Sequence, residues 1–190
     1  LYSTRANVWT CVTLVREDAN DVGDINDDIT LFGQHDSNNH GLRDVEIGPV
    51  LMYDRELIPA EVIKNYNHFD RILNRRIIDD GLVVHIDPQN ASSLRGGLTT
   101  SSNKFYNIVN GNEIAELQTN GTLMTAGNVP IGDLGPRINQ SNVNEVLQFQ
   151  TVNDIKTLTI WYKLHSINNG GQNTLFDSRS GNSNNMFRLT

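Results

Sequence analysis

Acidic side chains are the residues here whose spacing could do chemistry. Asp44 and Glu46 flank Val45, so an extended strand would put both carboxylates on one face. Two carboxylates about 5.5 Å apart are the working parts of a retaining glycosidase. The Glu-x-Asp-x-x-Glu spacing that presents such a pair is absent, and alternation with Val45 and Ile47 reads as the solvated outer face of a strand. A second acidic group, Asp18, Asn20, Asp21, Asp24, Asn26, Asp27 and Asp28, offers the hard oxygen ligands that calcium prefers. It fails the EF-hand frame. With Asp18 as position 1, Val22 falls at position 5 although Gly23 sits at 6; with Asp24 as position 1, Ile29 occupies the glycine position. The segment is expected to be a solvated loop, with calcium as the one cofactor that its chemistry would fit and none assigned.

The other reactive types are scattered. His35, His40, His68, His85 and His165 share no zinc-site spacing, and one cysteine supplies no thiolate set. Cys11 alternates with Trp9, Val12 and Leu14 and is expected as a buried strand thiol with no base beside it. Ser178-Arg179-Ser180-Gly181 is not a Gly-x-Ser-x-Gly elbow. The glycosylation-type triplets at Asn90, Asn120 and Asn139 are what chance provides in so asparagine-rich a chain. The sequence therefore assigns no catalytic residue, no metal ligand and no particular ligand site. No enzyme activity is expected.

A net charge of -7, from 22 acidic and 15 basic residues, argues against binding nucleic acid or an anionic membrane, both of which need a positive field. The small basic group Arg71, Arg75 and Arg76 is expected to solvate a linker. At 190 residues and 37% hydrophobic, the chain can bury a real core. It contains no apolar run of about 18 residues. Leu1-Tyr2-Ser3-Thr4-Arg5 lacks a signal-peptide layout, so a soluble, processed or partly observed polypeptide is expected.

The elements that would position these residues are short strands. Asn- and Gly-rich runs, such as Asn168-Asn169-Gly170-Gly171, tolerate left-handed backbone and punctuate them. Strands are expected over 8–15, 29–33, 42–53, 81–88, 105–109, 113–117, 123–124, 146–149, 158–164, 174–176 and 186–189, with an interruption at Gly48-Pro49. The period of two in 157–164 places Leu158, Ile160, Tyr162 and Leu164 on one face. One helix is expected, from Pro59 to about Asn67, laying Val62, Ile63 and Tyr66 against a sheet. Ile58 makes a weak N-cap there, with Leu57 available to compensate by packing. The composition shift over 70–80 marks a linker and a boundary near residue 75, dividing the chain into 1–74 and 75–190.

Several of these segments resemble the laminin-G-like, concanavalin-A-like domains of bacteriophage virion proteins. The run Ile47 to Leu57, followed by Glu61, Ile63, Asn65, Tyr66 and Asn67, resembles that family's closing strand and short helix. Trp9 to Leu14 resembles an internal strand that precedes them. Asp80 to Asp87, Phe105 to Asn112, Leu117 to Gly121, Leu158 to Lys163 and Thr174 to Arg179 resemble the domain's opening. The order is permuted, so 1–74 looks like the C-terminal half of one domain and 75–190 like the N-terminal part of another.

Half a sandwich exposes an apolar inner face. The chain is then either a piece of a tandem-domain protein or one whose halves complete each other, within the chain or between copies. The resemblance implies an all-β antiparallel sandwich, a jelly roll with one short helix, located at the surface of a virus particle. It implies a non-enzymatic role in a capsid, head fibre, neck or tail, with other virion proteins or copies of itself as partners. The alternative is a carbohydrate-binding receptor module, calcium-dependent or not.

Overall fold

The structure, a computed structural model, describes residues 7–15, 29–32, 44–69, 77–95, 104–119, 122–123, 136–138, 145–152, 154–165, 173–178 and 185–189. In chain order the elements are β1 (Trp9–Val15), β2 (Ile29–Leu31), β3 (Val45–Tyr53), α1 (Pro59–Phe69), β4 (Leu82–Ile86), β5 (Lys104–Tyr106) and β6 (Glu113–Thr119). They continue with β7 (Thr122–Leu123), β8 (Arg137–Ile138), β9 (Glu145–Phe149), β10 (Thr157–Leu164), β11 (Asn173–Ser178) and β12 (Asn185–Leu189).

These strands form two antiparallel sheets. The front sheet runs β1-β10-β3-β4, with β8 also on β3, and the back sheet runs β12-β11-β2-β9-β6-β5, with β7 also on β6. The fold is the expected all-β sandwich with a single short helix among the described residues.

The period of two in β10 explains its place at the centre. Leu158, Ile160, Tyr162 and Leu164 enter the core between the sheets, together with Ile47, Val50 and Met52 of β3 and Leu31, Leu117, Leu147 and Phe149 of the back sheet. Burying each such side chain contributes roughly 1.5–3 kcal/mol. The odd-numbered residues of β10 face outward, where Trp161 packs with Leu51 and Tyr53 of β3.

The interruption expected at Gly48-Pro49 is a bulge inside a continuous strand. Tyr162 pairs with Ile47 and Ile160 with Val50, so two residues of β3 stand opposite Trp161 alone. That extra residue explains why inward positions change from Val45 and Ile47 to Val50 and Met52. It also places a proline, which cannot donate to a ladder, where the ladder is already broken.

The division at residue 75 does not separate two cores. β1 and β3 from the first segment alternate with β10 and β4 from the second, and β2 sits between β11 and β9. Trp9 and Trp161 share one cluster. Segments 1–74 and 75–190, expected as parts of two domains, complete one another within the chain, because only together do their strands cover both sides of the core. The two-residue strand β8, which pairs Glu46 with Arg137, was not expected.

Candidate functional site

The outer face of the front sheet, where α1 lies, gathers more of the polar and titratable side chains singled out above than any other described region. The helix starts at Pro59, and its weak N-cap residue, Ile58, is served from inside the first turn. Glu61 Oε2 accepts the Ile58 N–H at 3.1 Å, the half of a capping box that a third-position glutamate supplies. Arg55 holds Glu61 with two hydrogen bonds of 2.9 and 2.8 Å. Leu57 is 4% exposed and packs under the helix.

Of the face expected, only Val62 docks. Val62, Asn65 and Phe69 meet the sheet, while Ile63 and Tyr66 are 59% and 46% exposed. Asn65 is why. Buried on the stripe between Val62 and Phe69, it donates Nδ2–H to the Tyr53 hydroxyl at 2.8 Å and accepts the Ile78 N–H at 2.8 Å. The Tyr53 hydroxyl donates to the Ile78 carbonyl at 3.0 Å, closing a three-membered ring of bonds between helix, sheet and the segment leading to β4. Burial pushes the Tyr53 phenol up to about 12, so it stays a donor at any ordinary pH.

At one end of this face lies a seam between α1 and β4. His68 and Phe69 stack edge to face at 4.7 Å, Phe69 meets the His85 ring at 6.3 Å, and Phe69 also packs on Trp161 at 4.6 Å. The His85 Nε2 is buried without a hydrogen-bond partner among the described residues. Burial first, and then the neighbouring His68, hold its pKa down at about 4. Burial lowers His68 as well, against the pull of Asp87. Cys11 lies opposite Trp161 on the same face, and burial pushes its thiol up to about 12, which leaves it a weak nucleophile.

Asp44 and Glu46 do not form a solvated pair. Glu46 is fully buried, 3.1 Å from His165 Nε2 and 3.7 Å from Lys163 Nζ. Asp44 turns the chain with φ 60 and its carbonyl accepts the His165 N–H at 2.8 Å. The expectation of an exposed outer face is corrected here: β10 returns alongside β3 and brings Lys163 and His165 onto Glu46. His165 therefore lies apart from the His68–His85 seam.

The remaining sequence expectations fall elsewhere. The acidic segment Asp18 to Asp28, with His35, His40, Arg71, Arg75, Arg76, Asn120 and Asn139, lies outside the described residues, as do residues 179–181. Among the described residues no three His, Cys, Asp or Glu side chains gather as a metal site. No described helix is long and apolar enough to cross a membrane.

Asn107 is a bracing position that residue type alone did not mark. Its Oδ1 accepts the N–H groups of His85 and Val109 at 2.9 and 3.1 Å, and its Nδ2 donates to the Val83 carbonyl at 2.8 Å. A side chain thereby imitates a strand along β4 and ties the front sheet to the back sheet, where β5 precedes it. The signal available was an Asn directly after a strand and before an Asn-Gly turn. Close by, the Arg95 guanidinium lies 3.8 Å over the Tyr106 ring and donates to the Gly111 carbonyl at 3.2 Å.

No family model, curated protein or solved structure matches this chain.

Proposed function

We propose that this chain is a non-enzymatic structural module of a virus particle, using a lectin-like sandwich for assembly or surface display with copies of itself or other particle proteins. One observation carries the reading. The polar residues of the virion-like motifs, Asn65, Asn107 and Glu61, are spent on bracing the sandwich, each bonded to backbone groups that would otherwise be unpaired. Polar residues spent on architecture fit a building block better than they fit a reaction centre. The test is to purify particles from the source of the chain, cross-link them, and identify neighbours by mass spectrometry. The expected result is recovery with the particles and cross-links to a shell, fibre or tail protein or to itself. A chain found only in the free protein fraction would overturn the proposal.

A second reading, a carbohydrate-binding receptor module, is favoured by Tyr106. Its half-buried ring carries Arg95, with the exposed Asn110 and Asn112 in the turn beside it, a ring-and-amide makeup suited to a sugar. A glycan array with and without calcium decides it, together with Tyr106→Ala as the variant that should abolish binding.

A further inference from the structure

The seam between α1 and β4 is built from the one kind of side chain that changes charge just below neutrality. His85 stands opposite Leu51 of β3, on the outer face of the front sheet, with Phe69 of α1 against its ring. Its backbone cannot swing away. The His85 N–H is held by Asn107 and its carbonyl by the Ile108 N–H at 2.9 Å. The buried Nε2 meets no acceptor among the described residues. A proton placed there would be a buried cation with an unmatched donor, and His68, on the last turn of α1, would add a second positive charge.

We propose that this seam is a proton-operated latch, in which protonation of the His85 ring lifts α1 from the front sheet and bares the Leu51–Trp161 face while the sandwich stays intact.

The thermodynamic sign is fixed by linkage. Docked, His85 is held near 4; undocked, it returns to the ordinary 6.5. The undocked state thus binds more protons, and undocking gains up to about tenfold per pH unit between those values, on the order of a hundredfold in all. Above 6.5 the latch is neutral and contributes nothing against docking. The other groups on the packed elements act elsewhere. Asp87 opposes the lowering of His68, Tyr53 and Cys11 titrate near 12, and the Glu61 carboxyl, paired with Arg55, is held below its ordinary 4.5.

Hydrogen exchange of the full chain between pH 7.5 and 4.5, corrected for intrinsic rates, tests the latch. Both tryptophans of the chain lie in the cluster beneath α1, so their fluorescence reports the same event. Exchange across α1 should accelerate by tens of fold or more on acidification, with a red shift in emission, while β10 and β9 remain protected. His85→Gln, which cannot take up a proton, should show neither change above pH 4.5. Constant α1 protection in the wild-type chain, loss of sheet protection in parallel, or an undiminished response in His85→Gln would each overturn the proposal. If His85→Gln does not fold, NMR titration of the wild-type histidines replaces it: a native His85 signal titrating near 6.5 with α1 still protected would overturn it equally.

Discussion

Asn65 Nδ2 donates to the Tyr53 hydroxyl at 2.8 Å, and this single bond joins the only described helix to the middle of the front sheet. Both groups are satisfied twice, because the Ile78 backbone completes the ring. Removing Asn65 leaves the half-buried Ile78 N–H and the Tyr53 hydroxyl each short of a partner. Asn65→Ala should therefore cost about 2–3 kcal/mol, and Tyr53→Phe about 1–2 kcal/mol. The double variant should lose less than the sum, since each change already breaks the shared bond. Urea unfolding of the four chains measures the coupling, and strict additivity would show that the ring contributes nothing.

Gly48 is required for close approach. A Cβ there would come within 2.8 Å of the Trp9 ring and 2.9 Å of both the Trp161 Cβ and its carbonyl oxygen. The Trp9 ring can shift, but the Trp161 backbone is held in the ladder with β1. Gly48→Ala should cost about 1–3 kcal/mol by overpacking. Trimming Trp9 to Leu in that background should recover no more than part of the loss. Full recovery in thermal unfolding would mean that the backbone oxygen is not the obstacle.

Much of this packing was legible in the residues, and the failures have identifiable causes. The period of two in 157–164 named the inward face of β10 correctly, and Gly48-Pro49 marked the bulge. The helix was placed by Pro59, but of its expected buried face only Val62 was placed correctly. Ile63 and Tyr66 are apolar by type, yet the sheet below offers a tyrosine hydroxyl, and a polar Asn65 answers it better. Glu46 looked solvated because its partner His165 lies 119 positions away, and no local pattern carries that information. β8 is too short for any periodicity; it is a strand because the edge of β3 beside it was open.

Asn107 makes a prediction that depends on the orientation of its amide. Nδ2 faces the Val83 carbonyl while Oδ1 faces the N–H groups of His85 and Val109. Asn107→Asp would aim a carboxylate oxygen at that carbonyl, costing about 2–4 kcal/mol at neutral pH. Protonation restores a donor, and the unfavourable site raises the folded-state pKa of the new carboxyl, so the variant should regain stability relative to the wild-type chain as pH falls through that raised value toward the ordinary carboxyl range. Melting curves at pH 7 and pH 4 show this directly, and a deficit equal at both would refute it.

Glu46 should be costly to remove and cheaper to neutralise. With its carboxylate gone, the Lys163 side chain, only 12% exposed, loses an ion-pair partner at 3.7 Å. Glu46→Ala is expected to lose about 3 kcal/mol. Glu46→Gln, which keeps an acceptor for His165, should lose less, and Lys163→Met less again. Chemical denaturation orders the three, and an alanine variant as stable as the lysine variant would show that the buried charge is not what matters.

The start of α1 provides a pH response separable from the seam at its far end. The Arg55 hydrogen bonds, followed by the Ile58 N–H, outweigh partial burial and lower the Glu61 pKa below 4.5. A carboxyl lowered in the folded state contributes stability that is present above its unfolded value and lost as pH falls through its folded one. The capping bonds of the first turn should therefore be lost only below about pH 4.5, whereas the His85 window, in which the helix leaves the sheet, lies above 4 and up to 6.5. Hydrogen exchange resolved along α1 should show faster exchange along the helix first on acidification, and a further loosening confined to the first turn below about pH 4.5. In Glu61→Gln the second step should vanish and the first persist, because one end of the helix needs a carboxylate that stays charged and the other an imidazole that stays neutral.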